Sequence, residues 1–169
     1  MPWGNVFDNV FLPLRLLGVA RSEAAPTINE ALARVGLASS GRAFPRELSG
    51  GMRMRVSIAR ALVLHPPLLL MDEPFAALDE ITRFKLNDDL LALQGELGTT
   101  IVFVTHSVFE SVYLSTRIAV IAGGPGSVAA EIAIGAPSPR GNFRTSTAYA
   151  HYCAQASRAL QGAMDGDLK

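Results

Sequence analysis

Apolar and polar positions alternate along this chain with two distinct periods, which divide it into helical and extended segments. Ile28, Leu32 and Val35 form a stripe with helical spacing, and Thr27 with Glu30 three residues on reads as a capping box. Gly36 then closes that predicted helix. A second stripe, Met52, Val56, Ala59 and Val63, follows Ser49-Gly50-Gly51 and ends at the paired prolines 66 and 67. Leu86, Leu90, Leu93 and Leu97 predict a third helix over about 80–97, stopped by Gly98. Tyr149, Tyr152, Cys153, Ala156 and Leu160 share one face of a final helix.

The extended segments read differently. Leu68-Leu69-Leu70-Met71 has no alternation and ends in Asp72-Glu73-Pro74, as expected of a strand buried on both faces with polar groups at its C-terminal end. Thr100–Thr105 is β-branched and apolar, a second buried strand ending at His106. Residues 117–122 predict a third strand, Gly123-Gly124-Pro125-Gly126 a turn, and 128–134 its hairpin partner. Residues 1–20 mix aromatics, prolines and leucines and read as an irregular packed segment, while 38–47 and 135–146 read as loops.

Composition narrows the function classes. The 169 residues carry fifteen basic and fifteen acidic side chains, so no basic footprint for nucleic acid is present. No apolar run approaches the roughly 18 residues of a spanning helix, and the apolar start is broken by Asp8, Pro13 and Arg15, unlike a signal peptide. The single Cys153 has no internal disulfide partner, which suits a reducing compartment. Only Lys85 and Lys169 are lysines, and neither follows a glycine. These residues therefore contain no Gly-Lys-Ser/Thr step of the kind that cradles nucleotide phosphates.

Candidate chemistry collects between Leu48 and Pro74. Ser49-Gly50-Gly51 opens a helix whose first turn offers free N–H groups and positive dipole charge, a setting that suits a phosphate. Asp72 and Glu73 stand together at a strand end, and His106 ends the next strand, on the same edge if the two run parallel. Each feature has a plainer reading: a turn, a solvated strand end, a capping histidine. Asp79 likewise reads as the N-cap of the helix after it. His65 and His151 match no motif and read as structural.

Taken in order, Leu48-Ser49-Gly50-Gly51-Met52, Leu68–Pro74, the Phe75-Ala76-Ala77-Leu78-Asp79 segment and Thr105-His106 resemble the signature motif, Walker B, D-loop and switch histidine of ATP-binding cassette (ABC) ATPases. The Pro-Trp and Asp-Asn-Val stretch near the start and the Ala-Gly-Gly-Pro-Gly turn resemble the subgroup serving nitrate, sulfonate and taurine importers. The resemblance covers roughly residues 1–135. It implies an α/β, P-loop NTPase-like (RecA-like) parallel sheet with an α-helical signature subdomain, incomplete at the N-terminus. Within it, about 1–64 would be the Q-loop-proximal and helical part, 65–135 a portion of the core, and 136–169 a C-terminal loop and helix.

By the same resemblance Asp72 would hold Mg²⁺ and Glu73 would activate the attacking water. His106 would contact the γ-phosphate of ATP, and Ser49, Gly50 and Gly51 would bind the ATP of a second cassette subunit in a head-to-tail dimer, with Asp79 at that interface. The partners implied are that second subunit, transmembrane permease subunits and, indirectly, a periplasmic or extracellular solute-binding protein. The location implied is the cytoplasmic face of the cell membrane. The sequence departs from the family in lacking Walker A, the Q-loop glutamine and the adenine-stacking aromatic, so the chain alone is expected to be inactive. Two alternatives stay open: a module lending its signature to a complete ATPase, and a gene remnant. A cassette ATPase acting on DNA or the ribosome fits less well, since such lineages add long coiled coils or duplicate the cassette. The family's sheet also places the Walker A strand between residues 100–105 and 117–122. Without it, the chain is expected either to be unstable or to pair those two strands directly.

Overall fold

The computed structural model describes residues 1–122, 126–137 and 140–166, with side chains described to 164. The chain divides into two compact units, Met1–Val102 and Phe103–Lys169.

The first unit opens with α1 (Val6–Leu16), where the sequence suggested irregular structure. Its start is set locally: Asn5 is extended and its side chain accepts the Asp8 N–H at 2.8 Å. Val6, Val10 and Phe11 bury one face, and the buried Asn9 amide donates to the carbonyls of Met1, Gly4 and Asn5. That face outweighs the loss of one amide at Pro13, which lies two turns into the helix. In α2 (Arg21–Arg34), the capping box expected at Thr27 is absent. The helix begins six residues earlier and carries Pro26 inside it. The reason is packing: Ala24 lies one turn before Ile28 on the same stripe, and both are buried against α1 and α3. Gly36 does close α2, at φ 70°, with Leu37 N–H bonding Leu32 O at 2.7 Å. The loop 38–47 contains two single 3₁₀ turns.

Helix α3 (Gly50–Leu62) buries Val56, Ala59 and the following Val63, as its stripe predicts, whereas Met52 is half-buried. Strand β1 (Leu68–Asp72) then leads through a turn to α4 (Glu80–Leu97), which ends at Gly98 in the left-handed region. Strand β2 (Thr100–Val104) follows and pairs with β1. Thr100 N–H bonds Pro67 O at 3.1 Å and Thr99 Oγ1 donates to Pro66 O at 3.3 Å, so the two strands start side by side and run parallel, as a β–α–β crossover requires.

Neither strand is buried on both faces. Leu69 and Met71 are buried, but Leu70 is 70% exposed, and Val102 and Val104 are about half exposed. A parallel sheet is normally covered on both sides. Among the described residues, the helices of this unit shield one side of β1 only, which corrects the expectation for both strands.

The second unit contains α5 (Val108–Leu114), the antiparallel hairpin β3 (Arg117–Ile121) and β4 (Val128–Ala133), and α6 (Thr147–Gly166). The hairpin closes with Ala122 N–H on Ser127 O, and the predicted turn at Gly123-Gly124-Pro125 lies outside the described residues. Ile118, Val120 and Ile132 are buried where α6 packs on the hairpin, and Cys153 and Ala156 line the buried side of α6. Arg140 is tied into this unit by donating to the last carbonyls of α5, including Val112 O at 3.3 Å and Ser115 O at 3.1 Å. Burial pulls its guanidinium below the usual arginine range. Among the described residues the sheets are β1–β2 and β3–β4, so direct pairing of β2 with β3 does not occur. No described helix is long and apolar enough to cross a membrane.

Candidate functional site

Ser49 is the N-cap of α3. Its backbone is extended and its exposed Oγ accepts the Met52 N–H at 3.2 Å, an N-cap bond that satisfies one of the first-turn amides left without carbonyl partners. Arg53 fixes the approach to this turn by donating to Leu48 O at 2.7 Å, and adds positive charge beside it. Gly50 and Gly51 have a packing requirement independent of any ligand. A β-carbon on Gly50 would lie 3.0 Å from Leu78 Cδ2, and one on Gly51 would lie 2.8 Å from Thr82 Cγ2. The Ser-Gly-Gly turn thus sits against the segment that carries Asp79.

Asp72 is the last residue of β1, and both it and Glu73 are exposed. Glu73 has φ 42°, a left-handed conformation that is uncommon for a residue with a side chain. Its carbonyl accepts Ala76 N–H at 3.2 Å, and Phe75, 1% exposed, anchors the turn in the core. A backbone outlier held by a buried anchor is a frequent property of reacting positions. Asp79 is the N-cap of α4, as its plainer reading predicts, with Oδ1 accepting Thr82 N–H at 2.9 Å. That bond holds its carboxyl below the usual aspartate range.

His106 belongs to the second unit. It is exposed, two residues past the end of β2, and Ser107 caps α5 immediately behind it. The residues around it form a network that the motif reading did not single out. Thr105 Oγ1 donates to Glu110 Oε2 at 2.7 Å, Ser107 N–H donates to Thr105 Oγ1 at 3.0 Å, and Glu110 N–H reaches Ser107 Oγ at 3.4 Å. Ser107 with Glu110 three residues later is a capping-box pattern, the signal that could have found it.

Within the first unit the fold brings together Ser49, Gly50, Gly51 and the Asp79 turn, and it holds Asp72 beside Glu73. Among the described residues no group of three or more His, Cys, Asp or Glu side chains is placed to hold a metal by itself. Two exposed carboxylates at a strand end do fit Mg²⁺, which is commonly held by one or two carboxylates, waters and substrate phosphates. The signature turn, with the Gly50 and Gly51 amides at the start of α3 and no room for side chains at those positions, fits a phosphate oxygen. A cleft lined by Thr27, Glu30, Arg34, His65 and Leu97 contains none of these residues.

These elements stand in the order of the cassette motifs that the sequence resembles. Residues 2–76 match the ABC transporter family. The chain is 46% identical over 130 residues to the taurine import ATP-binding protein of Rhizobium johnstonii, an alignment covering 77% of this chain and 50% of that protein. It is 44% identical to an aliphatic sulfonates import ATP-binding protein of Xanthomonas axonopodis pv. citri, over 83% of this chain and 56% of the relative. The nitrate import ATP-binding protein of Synechocystis sp. is 43% identical over 80% of the chain and 51% of the relative. The chain spans about half the length of these curated relatives.

Proposed function

We propose that this chain supplies the signature, carboxylate and switch-histidine portion of the ATP-binding subunit of an importer for small solutes of the taurine, sulfonate or nitrate kind. The observation that carries the proposal is the Ser49-capped helix followed by β1 ending in Asp72 and the left-handed Glu73. Sequence identities above 40% to import ATP-binding proteins support it.

When bound, ATP supplies the phosphoryl group and Mg²⁺ neutralises charge on its oxygens. Ser49 and the amides opened by Gly50 and Gly51 bind a terminal phosphate, which a second cassette subunit presents in a head-to-tail dimer. Asp72 holds Mg²⁺, Glu73 orients and deprotonates the attacking water, and His106 stabilises negative charge on the phosphate oxygens. Asp79 lies at the dimer contact. Permease subunits and a solute-binding protein are the remaining partners, at the cytoplasmic face of the membrane.

A second mode of action needs only the Ser49-capped turn, which is formed within these residues. In that mode the chain contributes its signature turn to a complete partner while its own carboxylates stay idle. Mixing the chain with the taurine import ATP-binding protein of Escherichia coli, 41% identical, tests the signature assignment. ATP hydrolysis should rise above that of the partner alone, and Ser49→Arg should abolish the rise. A stimulated rate unaffected by Ser49→Arg would overturn it.

A further inference from the structure

We infer that Glu110 is a positioning residue for His106, acting through the Thr105 hydroxyl; the inference rests on the proposed role of His106 at phosphate. Glu110 is 7% exposed, an unusual place for a carboxylate. It occupies the third position of α5, where a capping-box glutamate normally reaches back to the N-cap N–H. Here that N–H, on Ser107, is taken by Thr105 Oγ1 at 3.0 Å, and the Thr105 hydroxyl donates onward to Glu110 Oε2 at 2.7 Å. The hydroxyl is thereby inserted into the box.

The insertion matters because of what it spans. An ordinary box would tie Ser107 alone to the helix. This one ties Thr105 and Ser107, the two neighbours of His106, to a single buried carboxylate. The exposed His106 therefore stands on a backbone fixed on both sides. Threonine suits the relay because a hydroxyl donates and accepts at once. Pre-organisation of this kind places a charge-stabilising group without reorganisation during reaction. Arg140 supports it from the other end of α5, where it binds the closing carbonyls.

The test is nuclear magnetic resonance on the nucleotide-free chain, using His65 and His151 as internal references. Glu110→Ala and Thr105→Val should drop the His106 backbone order parameter from about 0.85 to below about 0.6. They should also shift its ring nitrogens, leaving His65 and His151 unchanged. Glu110→Gln and Thr105→Ser, which keep the acceptor and the donor, should restore the parent values. Ser107→Ala removes the plain helix cap yet keeps the relay, and should disturb His106 less than Glu110→Ala does. His106 signals that superimpose on the parent in Glu110→Ala would overturn the inference. So would a change shared by all three histidines in both Glu110→Ala and Thr105→Val, or Ser107→Ala matching Glu110→Ala. The spectra contain no nucleotide, so their outcome is independent of the mixing assay that tests the ATP role.

Discussion

Gly51→Ala separates the two reasons the chain could have for a glycine in the signature turn. If phosphate access were the only one, the substitution would not harm the chain in the absence of nucleotide. Alanine is favoured over glycine in a helix interior by about 1 kcal/mol, and less in the first turn. The added carbon, however, would meet Thr82 Cγ2 at 2.8 Å, with Leu86 Cδ1 at 3.9 Å behind it. Thr82 cannot simply swing away, because it lies on α4 with its N–H bound in the Asp79 cap. Over-packing of this kind costs about 1–3 kcal/mol. The balance is a net loss of about 1 kcal/mol. Thr82→Ser deletes that methyl carbon, so in its background Gly51→Ala should become neutral or stabilising. The sign of the effect is thus predicted to reverse. Urea unfolding followed by α3 and α4 amide exchange measures both arms locally, which avoids treating a chain of two units as two-state. A Gly51→Ala penalty unchanged by Thr82→Ser, or no penalty in the parent, would refute the packing argument.

Other consequences are equally direct. Because the Thr82 N–H bond holds the Asp79 carboxyl below its ordinary value of 3.8, that cap contributes stability above this pH and loses it as pH falls through the folded-state value. Asp79→Asn, which can still cap, should flatten that part of a thermal melt series taken into acid. Arg140→Met keeps much of the apolar stem but removes the donors to the α5 carbonyls, and should cost about 2 kcal/mol, read as faster amide exchange in α5. Glu73→Gly releases a left-handed conformation worth about 1–3 kcal/mol and gives back about 0.5–1 kcal/mol in chain entropy. It should raise the melting temperature slightly while removing the carboxylate proposed to act on water.

The sequence by itself determined the helices whose stripes and stops agree: α3 with its Ser49 cap, α4 between Asp79 and Gly98, and the Cys153–Ala156 face of α6. It also carried the resemblance to the family, because the signature, Asp72-Glu73 and Thr105-His106 are local strings whose order survives without coordinates. Local signals failed where long-range packing decided. Pro13 and Pro26 look like helix breakers, yet buried Val10 and Ile28 hold both segments helical. Thr27 has every property of a cap and is not one, since Ala24 extends the same buried stripe upstream.

Strand burial was also beyond sequence. An unbroken apolar run states what a strand could bury, but what covers it belongs to other segments, and Leu70 and Val102 stay exposed among the described residues. Glu110 was likewise legible only as a cap. Its role depends on a hydroxyl five residues away turning toward it, and side-chain direction at that range is a property of the folded backbone. The sequence names the groups proposed to meet phosphate; the tertiary structure alone decides what holds them still.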